Sequence, residues 1–176
     1  MRVFHLITQG YAGHFSLNNL SQGRMDEVAR FIHNALFLSH SLRRDTIARI
    51  TLTQGPLAPL TITLEGKDLR GLHPDERSIA GYLLNILKRF DADKPMPPGV
   101  RIEKGMDLPP GTVLDEGGER KEPQTHYFYV GGPYGFPVDP PGEKISLGGK
   151  IYTASQTVTI VHYLLDVGVW IPALKP

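Results

Sequence analysis

Short runs of β-branched and aliphatic residues alternate along this chain with stretches whose apolar positions recur every three or four residues, which points to an α/β fold. Residues 3–7 read as a first strand, followed by a loop rich in Gly, Asn and Ser up to Gly23. From Arg24, the positions Met25, Val28, Ala29, Ile32, Ala35 and Leu36 keep helical spacing to about Ser39. Residues 49–53 and 60–64 are rich in Ile, Thr and Leu and flank a Gly55-Pro56 turn, as a hairpin or as two strands joined by a short loop. Pro74 suits the first position of the next helix, where its missing N–H costs nothing, and Asp75 and Glu76 face the positive end of the dipole. Ile79, Leu83, Ile86, Leu87 and Phe90 give that helix one buried stripe. The proline-rich stretch 91–99 ends it and reads as a linker inside the fold where the chain changes layer.

The second half is cut into short strands at 100–103, 112–114, 127–130 and 144–147. Gly117-Gly118, Gly131-Gly132-Pro133, Pro140-Pro141-Gly142 and Gly148-Gly149 make the cuts. A last helix spans about 155–166, with Val158, Val161, Leu164 and Leu165 on one face, against the weak helix propensity of the β-branched run 157–161. There is no internal repeat, and 176 residues fit one domain, 1–176.

Nineteen Lys and Arg against eighteen Asp and Glu leave a net charge of +1. Bulk charge therefore does not hold this chain on nucleic acid, although a local basic patch can, with Arg43, Arg44, Lys88 and Arg89 as candidates. The absence of cysteine excludes a disulfide scaffold, a thiolate zinc site and a cysteine nucleophile. No run of about 18 apolar residues is present to span a membrane, and the N-terminus lacks a signal-peptide core. A soluble, cytoplasmic protein without a membrane partner is the expectation.

The seven histidines are scattered without metal-ligand spacing, so no metal is expected and they read as solvated or hydrogen-bonded side chains. Neither a nucleophile elbow, a Walker loop nor a G-x-G-x-x-G fingerprint occurs. The loops 131–135 and 148–149 each follow a short strand, and they either make tight turns or bring backbone against a ligand. Leaving neighbouring strands, two such loops would form a cradle of N–H and C=O groups better suited to an adenine or ribose edge than to a triphosphate. The cluster Ser39-His40-Ser41-Leu42-Arg43-Arg44-Asp45 reads as the end of the first helix. Its arginines either hold phosphates bidentately or complement the negative helix end, with Asp45 as an ion-pair partner. Arg77, in the first turn of the next helix, likewise pairs with nearby acids or reaches a ligand.

Five strings taken in order resemble one family. They are Gly23-Arg24-Met25-Asp26, then residues 36–45 (LFLSHSLRRD), residues 65–78 (EGKDLRGLHPDERS), Ile145-Ser146-Leu147-Gly148, and residues 157–162 leading into a helix that ends Leu165-Asp166. Together they resemble the tRNA pseudouridine-54 N1-methyltransferases of the SPOUT superfamily, including bacterial members, and the resemblance covers nearly the whole chain. The resemblance implies an α/β domain with a sheet flanked by helices, a C-terminal deep trefoil knot, a homodimer, and S-adenosylmethionine bound among the knot loops. The implied activity is N1-methylation of pseudouridine in RNA, at position 54 of tRNA. The same chemistry on ribosomal RNA, or a non-catalytic RNA-binding relative, are the alternatives.

Carried over by residue, the cofactor wall is Leu114, Gly131, Leu147, Gly148, Gly149, Lys150, Ile151, Tyr152 and Thr157, the last where the family has a cysteine. Three departures bear on cofactor affinity and on the identity of the RNA rather than on the fold. Gly131-Gly132-Pro133 stands where the family has Gly-Asp-His, the loop 131–145 is shorter and proline-rich, and the cofactor loop continues Gly149-Lys150-Ile151 where the family tends to have Pro and small apolar residues. For the chemistry, Asp45 and Asp75 are candidate proton acceptors, and Arg44 and Arg77 candidate anion stabilisers or phosphate clamps.

Overall fold

The structure is a computed structural model and describes residues 1–174. Its core is a seven-stranded sheet: β1 (Arg2–Tyr11), β2 (Thr46–Gln54), β3 (Leu60–Glu65), β4 (Val100–Lys104), β5 (Gly111–Glu119), β6 (Tyr127–Gly131) and β7 (Gly142–Ile145), in the order β4-β3-β2-β1-β6-β5-β7. β2, β1, β6, β5 and β7 are parallel, whereas β3 runs antiparallel between β2 and β4. Three helices, α1 (Met25–Leu36), α2 (Glu76–Asp91) and α3 (Ala154–Val167), pack on the sheet.

Strand alternation sends Phe4 and Leu6, Ala48, Ile50 and Leu52, Leu60, Ile62 and Leu64, and Phe128 and Val130 into one core with the helices. The opposite face is polar and aromatic, with His5, Arg49, Thr51, Thr61, Tyr127 and Tyr129. Its hydrogen bonds run in one direction. Arg49 donates to the Tyr127 hydroxyl (2.6 Å), which then donates to His5 Nδ1 (2.8 Å). His5 Nε2 donates to Thr51 (2.7 Å), Thr51 to Thr61 (3.0 Å), and Thr61 to the Gly105 carbonyl (2.9 Å). The chain needs a neutral imidazole, and burial with the nearby Arg49 charge lowers the His5 pKa to about 3.

This face is covered by the return from β4 to β5. Five inter-strand steps separate those strands, about 24 Å. The residues between Lys104 and Gly111 span that only when extended at about 3.4 Å each, a conformation that Pro109 and Pro110 favour. The Asp107 carbonyl accepts from Arg49 (3.3 Å) and the Pro109 carbonyl from the Tyr129 hydroxyl.

α3 follows β7 at one edge of the sheet yet packs on α1 and β6, so the 146–153 segment passes over the ends of β5 and β6. Phe128 stacks on Phe4 and on Trp170, and the His162 ring lies tilted against Phe4. His162 Nε2 donates to the Ala35 carbonyl (2.8 Å), one of the free carbonyls at the end of α1, and its Nδ1 accepts from Arg2 (2.9 Å). Burial holds this imidazole neutral as well, its pKa lowered to about 4.

Several expectations change in detail. α1 stops at Leu36, not near Ser39, because Phe37 turns extended and bridges to Leu42 around the 38–41 turn. Pro74 does not occupy the first turn of α2: Asp75 is the N-cap, its carboxylate accepting from Ser78 N (3.0 Å). The 49–53 and 60–64 segments form the hairpin alternative, and 91–99 does carry the chain from the helix layer to the sheet edge. β7 ends at Ile145, so Leu147 belongs to the following loop. The strands carrying the two glycine loops are not neighbours, because β5 lies between β6 and β7.

Candidate active site

The loops after the parallel strands gather at their carboxyl ends, where open α/β sheets bind ligands. Between them lies a cavity of about 530 Å³, within the range of small-molecule sites. Leu114, Asp115 and Glu116 line it from β5, Val130 and residues 131–136 from the end of β6, and Asp139 from beyond. Leu147, Lys150, Ile151 and Tyr152 close it from the segment after β7, and Thr157 from the first turns of α3. Of the residues expected to form the cofactor wall, Leu114, Gly131, Leu147, Lys150, Ile151, Tyr152 and Thr157 thus meet at one cavity. Gly148 and Gly149 stand in the same loop without lining it.

The loop after β7 is held locally. Ser146 Oγ donates to the Gly148 carbonyl (2.8 Å) and accepts from Gly148 N (3.1 Å). Gly148 has φ +147, a conformation that side-chain-bearing residues rarely adopt. Thr153 then starts α3 with a capping box, accepting from Gln156 N (3.3 Å) while the Gln156 side chain accepts from Thr153 N (3.0 Å). Asn34 ties the first turn of α3 to α1 through the Ser155 carbonyl (3.0 Å).

The lining has a definite chemical character. Leu114, Val130, Leu147 and Ile151 give apolar surface for a flat ring, and the glycine loop exposes backbone for its edge. Asp115, Glu116 and Asp139 oppose the single Lys150, a negative balance with one cation. A ligand with an adenine, a sulfonium, an ammonium and one carboxylate fits that balance, so the residues present suit S-adenosylmethionine.

The four candidates for the chemistry lie elsewhere; none lines this cavity. Arg44 donates to the carbonyls of Gly66 (2.7 Å) and Leu69 (3.3 Å). Asp45 accepts from Thr46 Oγ1 (3.1 Å) and, among the described residues, makes no ion pair with either neighbouring arginine. Arg43 instead pairs through two nitrogens with Asp166 (3.1 and 2.8 Å), which Arg2 also reaches (2.8 Å). These bonds, Arg43's foremost, hold the Asp166 carboxyl below its ordinary range, at about 2. The Ser78 bonds keep the capping Asp75 carboxylate below its usual pKa, and Arg77 donates to the Leu17 carbonyl (3.3 Å).

A second cavity, about 520 Å³, lies at the opposite, amino end of the parallel strands. Residues 37–42, Arg44, residues 67–72 and Pro74 line it, so the two longest strings of the resemblance fold together there. Arg44, Lys67 and Arg70 bring positive charge to it, against the one acid Asp68.

A family model described as "Putative SAM-dependent RNA methyltransferase" matches residues 1–105. The tRNA (pseudouridine(54)-N(1))-methyltransferase of Methanocella arvoryzae is 34% identical over 86% of this chain and 91% of its own length. That of Haloarcula marismortui is 34% identical over 86% of this chain and 88% of its own.

The chain belongs to the tRNA (pseudouridine(54)-N(1))-methyltransferase family.

Among solved structures, Archaeoglobus fulgidus Nep1 bound to S-adenosylhomocysteine shares the fold, with a TM-score of 0.59 at 13% identity over 95% of this chain and 98% of that one. Within this family frame, reading the residues alone missed Asp115, Glu116 and Asp139 in the cavity, which carry no motif. It also missed Glu27. That residue had a signal: a carboxylate on the apolar face of α1, one turn before the buried Phe31.

Proposed function

We propose that this chain is an S-adenosylmethionine-dependent methyltransferase that methylates N1 of a pseudouridine in RNA, position 54 of tRNA being the target. The observation that carries the reading is the acid-balanced, glycine-lined cavity at the carboxyl ends of β5, β6 and β7, in a chain of this family. S-adenosylmethionine supplies an electrophilic methyl on a positively charged sulfur. The chain's own residues do the rest. Leu114, Leu147 and Ile151 clamp an adenine, the 131–135 backbone reads its edge, and Asp115, Glu116 and Asp139 balance positive charge. Closing these groups around the cofactor excludes water and aligns the reacting atoms.

This reading extends to a single catalytic domain over 1–176, a cytoplasmic location, a C-terminal segment threaded as a trefoil knot, and a homodimer. Supporting the dimer, Tyr163, Val167, Val169, Ile171 and Leu174 leave an apolar stripe exposed along and after α3. No helix among the described residues is long and apolar enough to cross a membrane. The test is methyl transfer from labelled S-adenosylmethionine to a tRNA stem-loop carrying pseudouridine, with mass spectrometry locating the methyl. Transfer to N1 is expected; no transfer to any pseudouridine-containing RNA would overturn the reading.

A further inference from the structure

Glu27, the third residue of α1, is only 9% exposed, and among the described residues neither of its carboxylate oxygens has a hydrogen-bond partner. Burial raises its pKa, with Arg24 and Arg30 pulling it back and Asp26 adding to the rise. Thr8 Oγ1, near the end of β1, is buried and equally without a partner. Both groups converge on Gly132: a Cβ there would stand 2.9 Å from Glu27 Oε1 and 3.4 Å from Thr8 Oγ1. Buried polar groups left without partners call for a reason, and a ligand that completes them is one.

The place is also telling. From β1 the sheet grows through β2 on one side and through β6 on the other, so the crevice between the carboxyl ends of β1 and β6 is the topological switch point of the parallel strands. A cavity of about 100 Å³, room for one small ring, opens there between Thr8, Gln9, Arg24 and residues 132–137. It shares residues 132–136 with the larger cavity. Arg24, held at φ 59, sets its guanidinium 4.5 Å from the centroid of the Tyr134 ring, a planar cation and an aromatic face at the rim. Such surfaces stack bases.

We propose that this small cavity is the nucleobase subsite and that Glu27 is the carboxylate that reads the N1–H of a C-linked uracil ring and accepts its proton, with Thr8 as its companion hydroxyl. The inference rests on the function proposed above. Thr8 lines this cavity, whereas Glu27 lies behind Gly132. The base therefore reaches the carboxylate as the Gly132 backbone gives way, and a side chain at 132, crowding Glu27 Oε1, would block that approach. In uridine N1 carries the sugar and has no proton, so a buried acceptor aimed at N1–H favours the C-linked isomer, as sites built around one hydrogen bond do. The reaction balances. The N1–carbon bond forms as the methyl–sulfur bond breaks, the N1 proton moves to Glu27, and the positive charge brought with the methyl is discharged, leaving a neutral acid and a neutral base. The charged or titratable groups around Glu27 are Arg24, Asp26 and Arg30 on its own helix and its N-cap, and Tyr134 on the facing loop.

The test compares binding of two tRNA stem-loops, pseudouridine or uridine at the target position, to cofactor-free protein, and then follows turnover. Wild type should prefer the pseudouridine loop by about tenfold or more, and Glu27→Ala should collapse that preference to within about threefold. Glu27→Gln keeps an acceptor oxygen but cannot take the proton. It should bind with KM within about threefold, lose kcat by about 100-fold, and lose the acid limb of the kcat–pH profile. Thr8→Val, nearly isosteric, provides a second reading of the preference should a Glu27 variant fail to fold, and should reduce it severalfold. Wild type that methylates pseudouridine, with Glu27→Gln turning over as fast and both Glu27→Ala and Thr8→Val retaining the preference, overturns this proposal alone. Wild type inert towards every pseudouridine RNA overturns the function on which it rests.

Discussion

Lowering the pH from 7.5 to 5 should destabilise this protein well before any carboxylate pair is titrated. His5 and His162 are each buried as the neutral imidazole, with pKa values lowered from 6.5 to about 3 and about 4. In the unfolded chain both take up a proton as the pH falls through 6.5; in the folded chain neither does until much lower. The unfolded state therefore binds more protons between about pH 4 and 6.5, and stability falls as the pH drops through that window. At pH 5 each histidine is 1.5 pH units below its unfolded pKa, worth about 2 kcal/mol, so the two together cost about 4 kcal/mol. Glu27 opposes them: its raised folded pKa makes the native state bind up to one extra proton above pH 4.5, so the wild-type loss is smaller. Asp166 does not enter, since its contribution is present above 3.8 and is lost only as the pH falls from there towards about 2. Against a typical total of 5–15 kcal/mol, such a loss is readily measured. Urea unfolding at half-unit pH steps should give a maximum slope of about 2.7 kcal/mol per pH unit, the two-proton value, in the Glu27→Gln background, and a shallower slope in wild type. His162→Gln in the same background should halve it. A Glu27→Gln profile flat from pH 6.5 to 4.5 would refute the assignment of both imidazoles as neutral and the hydrogen-bond direction drawn through Tyr127, His5 and Thr51.

Other substitutions test the site and its supports. Gly148→Ala forces a side chain into φ +147 and should weaken S-adenosylmethionine binding by about tenfold in calorimetry while leaving the melting temperature nearly unchanged, because the strain falls on one exposed loop. Leu114→Asp places a further acid on the apolar wall and should abolish detectable cofactor binding with helix content intact by circular dichroism. Arg44→Ala leaves the Gly66 and Leu69 carbonyls without their donor; a loss of about 1–2 kcal/mol in chemical denaturation is expected, with cofactor affinity preserved. Arg43→Ala removes a bidentate partner of a part-exposed Asp166 and should cost about 1 kcal/mol, less in high salt.

The elements themselves were legible in the chain because their signals are local. The three-four stripe of α1, the stripe of α2 and the β-branched runs of β2 and β3 each declare a conformation through which face their side chains must bury. The glycine loops and the family strings were legible too, and seven of the nine residues expected at the cofactor wall do line one cavity.

Position relative to other strands was not legible. That β5 separates β6 from β7, that α3 doubles back to cap a free carbonyl of α1, and that Arg43 pairs with Asp166 all depend on pairings more than a hundred residues apart or on the order of a sheet. Sequence alone determined which segments were helix and strand and which family the chain resembles, since periodicity and motif strings are written in consecutive residues. Only the tertiary structure decided where charge goes unpaired. Glu27 and Thr8 are ordinary residues until β1, α1 and the loop after β6 bury them against Gly132, because burial is a property of what packs around a group, not of the group itself.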